Sequence, residues 1–195
     1  MQQRIYTRQG DRGVTSLGDG GFVPKSSAAV RALGALDEAA AWLGFLAAHP
    51  EPLPAVTCEQ LRRAQEKLSM ICALVASPSR VPHRVVKRED VGELEAEIDS
   101  WEGELPPLLE FVLPGGTHEA AVLHLARTVV RRVECETVAF AETEAGSAAK
   151  ASLEPALAYL NRLSDWLFVA ARVANLRADV GDARGGPHLG PAHGA

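Results

Sequence analysis

The sequence predicts an all-α fold, a bundle of amphipathic helices preceded by an extended loop, and three observations carry that prediction. Apolar residues make up 47% of the chain and aromatic ones only 5%, a balance dominated by Ala and Leu that suits close-packed helices better than strands. Apolar positions recur with a helical period in five stretches, and Pro or Gly clusters break the chain between them. The length of 195 residues is enough for one domain with a real core.

The same composition excludes several functions. Net charge is −5 with basic residues scattered along the chain, so the basic stripe that nucleic acid demands is missing. Cys58, Cys72 and Cys135 show no CxxC or Cys/His spacing, which points to reduced thiols, no structural zinc and a cytoplasmic setting. The start MQQRIYTRQGDRG has no apolar core, and no run approaches the roughly 18 residues of a membrane span.

Residues 1–27 read as a loop. They hold five glycines and no helical period. Gly10, Gly13, Thr15 and Ser16 offer amides and hydroxyls to an anion, and Arg8, Arg12 and Lys25 add charge; a flexible leader is the plain alternative. The GxxxxGK[ST] order of a P-loop is missing. A first helix runs from Ser26 or Ser27 to about Ala48, with Val30, Leu33, Leu36, Ala40 and Leu43 on one side. Asp37 and Glu38 sit in it among small neighbours, facing either solvent or an arginine from elsewhere.

The segment HPEPLP, residues 49–54, breaks the chain. A second helix, about 56–76, turns Leu61, Ala64, Leu68, Ile71 and Val75 inward, with Cys58 and Cys72 as small packers. Residues 77–87 form a basic, proline-punctuated loop in which His83 reads as surface decoration. A third helix, about 89–102, points Val91, Leu94, Ile98 and Trp101 inward. The stretch GELPPLLEFVLPGG is then an ordered connector, because Phe111 and Leu113 are too apolar to leave in water.

Thr117 caps the helix that organises the rest. Val122, Ala126, Val129, Val133 and Phe140 fall on one side of it, while Arg127, Arg131 and Glu134 share a narrow stripe opposite. Guanidiniums focused on one carboxylate suit a polyanion site, and a solvated face with i,i+3 and i,i+4 pairs explains the pattern equally well. Gly146 marks a break, and Pro155 suits the first turn of a last helix ending near Asn175. Leu160, Leu163, Leu167, Ala171 and Ala174 form its apolar side, and Asn161, Asp165, Phe168 and Arg172 lie together on another. After Arg177 the chain reads as a disordered tail, in which His188 and His193 are too sparse for a metal site. None of the six histidines has Glu three positions earlier, so the di-iron chemistry of ferritin-like bundles is out. The chain therefore divides into a 1–27 loop of the same domain, a 28–176 helical bundle and a 177–195 tail.

Four segments in this order, IYTRQGDRGVTSL at 5–17, ALGALDE at 32–38, FVLPGGTHEAAVLHLARTVVRRVE at 111–134 and YLNRLSDWLFVAAR at 159–172, resemble the PduO-type ATP:cob(I)alamin adenosyltransferases. The resemblance implies a five-helix bundle of ferritin-like up-and-down arrangement, assembled as a homotrimer with active sites between subunits. The implied reaction moves the 5′-deoxyadenosyl group of ATP to the cobalt of reduced cob(I)alamin, with Mg²⁺ on the triphosphate. By matching position, Thr7, Arg8, Gln9, Gly10, Thr15, Ser16, Lys25, Arg131, Arg132, Glu134 and Asn161 would line the ATP site. Arg131 and Glu134 would act in catalysis with Phe111, which would occupy the lower corrinoid face and expel its axial base. Asp37 and Arg127 would bridge subunits. A flavin-type reductase and an adenosylcobalamin-dependent enzyme are the protein partners implied. The chain departs from the family pattern at Cys135, where a final Arg is usual, at Val14, Ser26 and Ala40, and at Arg8 in place of Lys. Losing a phosphate-contacting guanidinium costs on the order of 1–3 kcal/mol, so an ATP or corrinoid sensor or coenzyme carrier with reduced catalysis is the alternative.

Overall fold

The computed structural model describes residue 6, residues 8–49 and residues 52–188. Thr7 and the end of the expected tail lie outside them. The elements run β1 (Val14–Ser16), β2 (Phe22–Pro24), α1 (Ala28–Ala47), α2 (Cys58–Ala76), α3 (Arg88–Glu102), β3 (Glu110–Val112), α4 (His118–Ala141), α5 (Glu144–Ala148), α6 (Lys150–Arg177) and β4 (Arg184–His188).

Local chemistry starts these helices where side-chain oxygens can take up orphan amides. Ser27 accepts from the Val30 amide at 3.4 Å and Thr117 from the Ala120 amide at 3.1 Å. Thr57 and Gln60 form a reciprocal capping box at the start of α2. Each such cap stabilises its helix by about 1 kcal/mol.

α4 lies between α1 and α6, α2 packs on α1, and α3 packs on α6. One continuous core joins them. The expected inward residues of α2, α4 and α6 are all buried. On α1 the buried face is turned slightly from the expected one: Ala32, Ala35, Leu36, Ala39 and Leu43 are sealed, while Val30, Leu33 and Ala40 sit at its edge. Alanine lets α1 approach α4 closely, so the small residues face inward and two larger ones flank them.

Four expectations change. The protein is mostly helical but carries two small antiparallel sheets, β1–β2 and β3–β4, so the all-α expectation misses short strands inside segments read as irregular. Residues 14–24, read as loop, form a hairpin whose strands are joined through 17–21, with Gly20 at φ 84°. α6 begins at Lys150, and Pro155 lies inside it. A proline there leaves the carbonyl of exposed Ala151 without its helical partner, and water can meet that carbonyl. Gly146, expected to mark a break, lies in the short helix α5 that separates α4 from α6; a Cβ there would lie 2.1 Å from the Phe140 carbonyl, so the close approach of α5 to the end of α4 requires glycine.

Part of the expected tail is also structured. β4 pairs with β3, with Glu110 opposite His188 and Val112 opposite Arg184, and the Leu113 amide donates to the Ala183 carbonyl at 2.7 Å. The β3 connector is ordered, yet Phe111 is 53% and Leu113 50% exposed. Neither is core in the single chain.

Candidate functional site

The outward stripe of α4 and the neighbouring face of α6 come together as the spacing suggested. Asn161 donates to a carboxylate oxygen of Glu134 at 3.0 Å, and Arg131, one turn before Glu134, stands exposed. Cys135 is exposed beside them. Arg132 turns the other way, pairing with Glu38 on α1 at the surface. A half-exposed pair of this kind is worth at most about 1 kcal/mol, so an anionic ligand could recruit Arg132 at little cost.

Arg127 and Asp37, expected to bridge subunits, make no ion pair with the described residues of their own chain. Asp37 is exposed on α1. Arg127 is half-buried, and its Nε is sealed from solvent without a hydrogen-bond partner. Burial, and then the like charge of Arg131, hold its pKa below the usual guanidinium range. Among the described residues the guanidinium has no carboxylate partner.

The N-terminal hairpin brings together several expected anion-binding groups. A Cβ on Gly10 would lie 3.2 Å from the Lys25 Nζ, so the ammonium sits over the Gly10 turn. The Lys25 amide donates to the Gly13 carbonyl at 2.9 Å. Gly13 has φ 80° and Arg8 φ 61°, and the Arg8 guanidinium lies 5.5 Å from the Tyr6 ring centroid. Thr15 pairs opposite Val23 and Ser16 opposite Phe22; Gln9 and Ser16 are exposed. The hairpin rests on the end of α2, where the Gly18 amide donates to the Ala76 carbonyl at 2.9 Å and the Ser79 amide to Asp19 at 3.2 Å. Its exit is tied to α4 through Arg31, which donates to the Ser26 carbonyl at 2.6 Å and to Glu136 at 2.9 Å.

Phe111 projects from β3, and residues distant in sequence hold that strand. Arg172 is 6% exposed. It donates to Asp182 at 2.9 Å and to the Pro106 carbonyl at 2.8 Å. Asn175, 1% exposed, donates to Asp182 and to the Gly115 carbonyl, both at 3.2 Å, and accepts from the Thr117 amide at 2.9 Å. Gly116 has φ 99°, and a Cβ there would lie 2.1 Å from the Asn175 oxygen, so both backbone and packing demand glycine. Arg172 was legible on the polar stripe of the last helix. Asp182 was not, since its segment carries no periodicity.

Two titratable groups are buried in α4 besides half-buried Arg127. Glu119 accepts from the amides of Ala55 and Val56 at 3.2 and 3.4 Å, tying the α2 entry to α4; burial raises its pKa in spite of those bonds. His124 is 2% exposed, has no hydrogen-bond partner on either nitrogen among the described residues, and lies 6.1 Å from the Phe168 ring. Burial, and then the Arg127 charge, depress its pKa to about 4, so its ring is neutral at pH 7.

Comparison with known proteins points one way. The family model described as cobalamin adenosyltransferase matches residues 5–174. The corrinoid adenosyltransferase of Bacillus subtilis (strain 168) is 37% identical over 182 residues, covering 92% of this chain and 90% of the relative. That of Mycobacterium tuberculosis (strain ATCC 25618 / H37Rv) is 41% identical, covering 91% of each. Among solved structures, a variant PduO-type ATP:corrinoid adenosyltransferase from Lactobacillus reuteri, complexed with cobalamin and ATP, superposes with a TM-score of 0.84 at 29% identity, covering 95% of this chain and 98% of its own.

Proposed function

Because the chain belongs to the cobalamin adenosyltransferase family, it transfers the 5′-deoxyadenosyl group of ATP to the cobalt of a reduced corrinoid, and we propose how its residues share that work. Cob(I)alamin attacks C5′, the Co–C bond forms as the C5′–O bond breaks, and triphosphate leaves with the electron pair, giving adenosylcobalamin. Cobalt supplies the nucleophile, so the protein needs no general base. Its tasks are to hold C5′ in line and to neutralise the leaving group.

The observation that carries this reading is the Asn161–Glu134 bond beside exposed Arg131. It sets a free guanidinium and an oriented carboxylate on one open face. Arg131 takes the triphosphate, joined by Arg132 once it leaves Glu38. Thr7, Arg8, Gln9, Gly10, Thr15, Ser16 and Lys25 supply the N-terminal part of the ATP site. Glu134 fits Mg²⁺: it is a hard oxygen donor with one oxygen on Asn161, and Mg²⁺ is commonly bound by one or two carboxylates plus substrate phosphates. The ion would neutralise phosphate charge there. Phe111 covers the lower face of the corrinoid and excludes its axial base, which eases reduction of the Co(II) precursor. An aromatic ring 53% exposed on a short paired strand suits that role.

The charges of Asp37 on α1 and Arg127 on α4, which have no ion pair among the described residues, support a finer architecture. We take the five long helices as a five-helix bundle, residues 28–176, sharing one domain with the 1–27 ATP segment, and three copies as a homotrimer. Asp37 of one copy answers Arg127 of the next, and the ATP site lies between copies. A cytoplasmic location fits the thiols, and no described helix is long and apolar enough to cross a membrane. A flavin-type reductase supplying Co(I) and an enzyme consuming the coenzyme are the partners this chemistry calls for.

Anaerobic mixing of the protein with ATP, Mg²⁺ and chemically reduced cobalamin gives the Co–C product by absorbance. Tight binding of both substrates with no turnover would reject catalysis and leave the sensor or carrier reading, which exposed Cys135 favours. Cys135→Arg lowers the KM for ATP by up to about tenfold if the missing guanidinium is a phosphate contact.

A further inference from the structure

Phe111 is expected to work by holding its ring against a flat ligand face, and that requires β3 to stay where it is. β3 is only three residues long. It contributes nothing to the core through Phe111 or Leu113, which are 53% and 50% exposed. What fixes it comes from elsewhere in the chain. One edge of β3 pairs with β4, and the Leu113 amide donates to the Ala183 carbonyl at 2.7 Å. The residue before Ala183 is Asp182, whose two carboxylate oxygens accept from Arg172 at 2.9 Å and from Asn175 at 3.2 Å.

Those same two side chains grip the connector that carries β3 at both its ends. Arg172 donates to the Pro106 carbonyl, five residues before Phe111, and Asn175 engages the Gly115 carbonyl and the Thr117 amide just after it. Three separate segments, 106–117, the end of α6 and the chain after it, are thus joined through Arg172 and Asn175, both of which the Asp182 carboxylate holds. The ion pair is sealed, with side-chain exposures of 7% and 10%. Such a pair contributes little net stability compared with an apolar packing of equal volume, but it demands one geometry and is costly to break singly.

We propose that Asp182 is a positioning residue for the adenosyl transfer: acting through Arg172 and Asn175, it clamps the frame around β3 and so sets the pose of Phe111 against the corrinoid. The proposal rests on the role given to Phe111 above. It also assigns a function to the chain beyond the last helix, which lies outside the 5–174 family match.

The test uses the full-length protein and the variants Asp182→Asn, Asp182→Ala, Phe111→Ala and the double variant Phe111→Ala/Asp182→Ala. Asp182→Asn is nearly isosteric and keeps an acceptor for Asn175, so it guards against simple misfolding, which circular dichroism checks. Amide hydrogen exchange across 110–113 reads the clamp directly: Asp182→Asn speeds it by about tenfold or more while α4 and α6 amides hold. Unchanged exchange at 110–113 would overturn the proposal whatever Phe111 does. Turnover starting from Co(II)cobalamin with a reductant falls by about tenfold in Asp182→Ala, turnover from preformed Co(I) by no more than about threefold, and the KM for ATP stays within about twofold. Adding Asp182→Ala to Phe111→Ala produces little further loss, because both remove one device. Additive losses, or equal losses from both cobalt states in Asp182→Ala, would also overturn it. If Phe111→Ala alone shows no preference for the Co(II) route while the exchange result stands, it is the assignment of Phe111 that fails, and the clamp then holds the strand for another purpose.

Discussion

Two arginine-bearing regions of this chain differ in where their charge is met. Arg172, near the end of α6, finds all its partners inside the molecule: a buried carboxylate at 2.9 Å and a backbone carbonyl at 2.8 Å. Arg127 and Arg131, on the outward side of α4, find none among the described residues, and Arg127 carries a sealed, unpartnered Nε. A guanidinium satisfied within the chain ties backbone segments together. One that the chain leaves without a partner among its described residues is available to charge from outside, and the proposed occupants are a triphosphate for Arg131 and a second copy's carboxylate for Arg127. The same residue type does structural work in one place and recognition in the other, and the difference lies entirely in the partners.

Breaking the internal pair should hurt the fold most. Arg172→Ala leaves the Asp182 carboxylate buried without its cation and lowers unfolding free energy by about 3–5 kcal/mol, read as a fall in the denaturant midpoint at unchanged slope. An unchanged midpoint would mean that water replaces the guanidinium. Removing the external one should spare the fold and damage turnover. Arg131→Ala lowers kcat/KM by about 100-fold or more, near 3 kcal/mol of transition-state stabilisation, with the thermal midpoint unchanged; a shift in melting with activity intact would reverse the assignment.

The third contrast is between copies. Asp37→Ala weakens self-association by about tenfold, about 1.4 kcal/mol, seen by sedimentation velocity over a dilution series, and Arg127→Ala does the same without a further loss in the double variant. The smallest effect at neutral pH belongs to His124. Its folded pKa of about 4 lies below the ordinary value near 6.5, so the unfolded chain takes up its proton first as pH falls. The stability this neutral ring contributes is fully present above pH 6.5 and is lost as pH drops from about 6.5 towards 4. His124→Leu should flatten that part of the stability curve and change nothing at pH 8; an unchanged acid limb would place the titration elsewhere.

Much of this was legible before any coordinates. Leu61, Ala64, Leu68, Ile71 and Val75 turn inward on α2 because helical periodicity alone puts them on one side. The Glu134–Asn161 pairing was prefigured by two polar stripes on long helices, and Thr117 announced its own cap. Hydrophobicity alone asks for Phe111 to be covered, and it stands 53% exposed, since a rule about apolar residues says nothing of one held on a paired strand at the surface. Asp182 was missed altogether. Its partners are seven and ten residues away on a helix, and no local pattern records a carboxylate reaching back across a turn.

Composition, periodicity and capping are local, so the sequence by itself determined the five long helices, the inward faces of α2, α4 and α6 and the outward line from Arg127 to Glu134. The resemblance of four segments added the reaction and the roles proposed for those residues in it. Tertiary structure alone decided which arginine is spent and which is free, because that depends on groups far apart in sequence meeting in a low-dielectric interior. It sent Arg132 to Glu38, closed Arg172 on Asp182, left Arg127 without a carboxylate among the described residues and held Phe111 in the open.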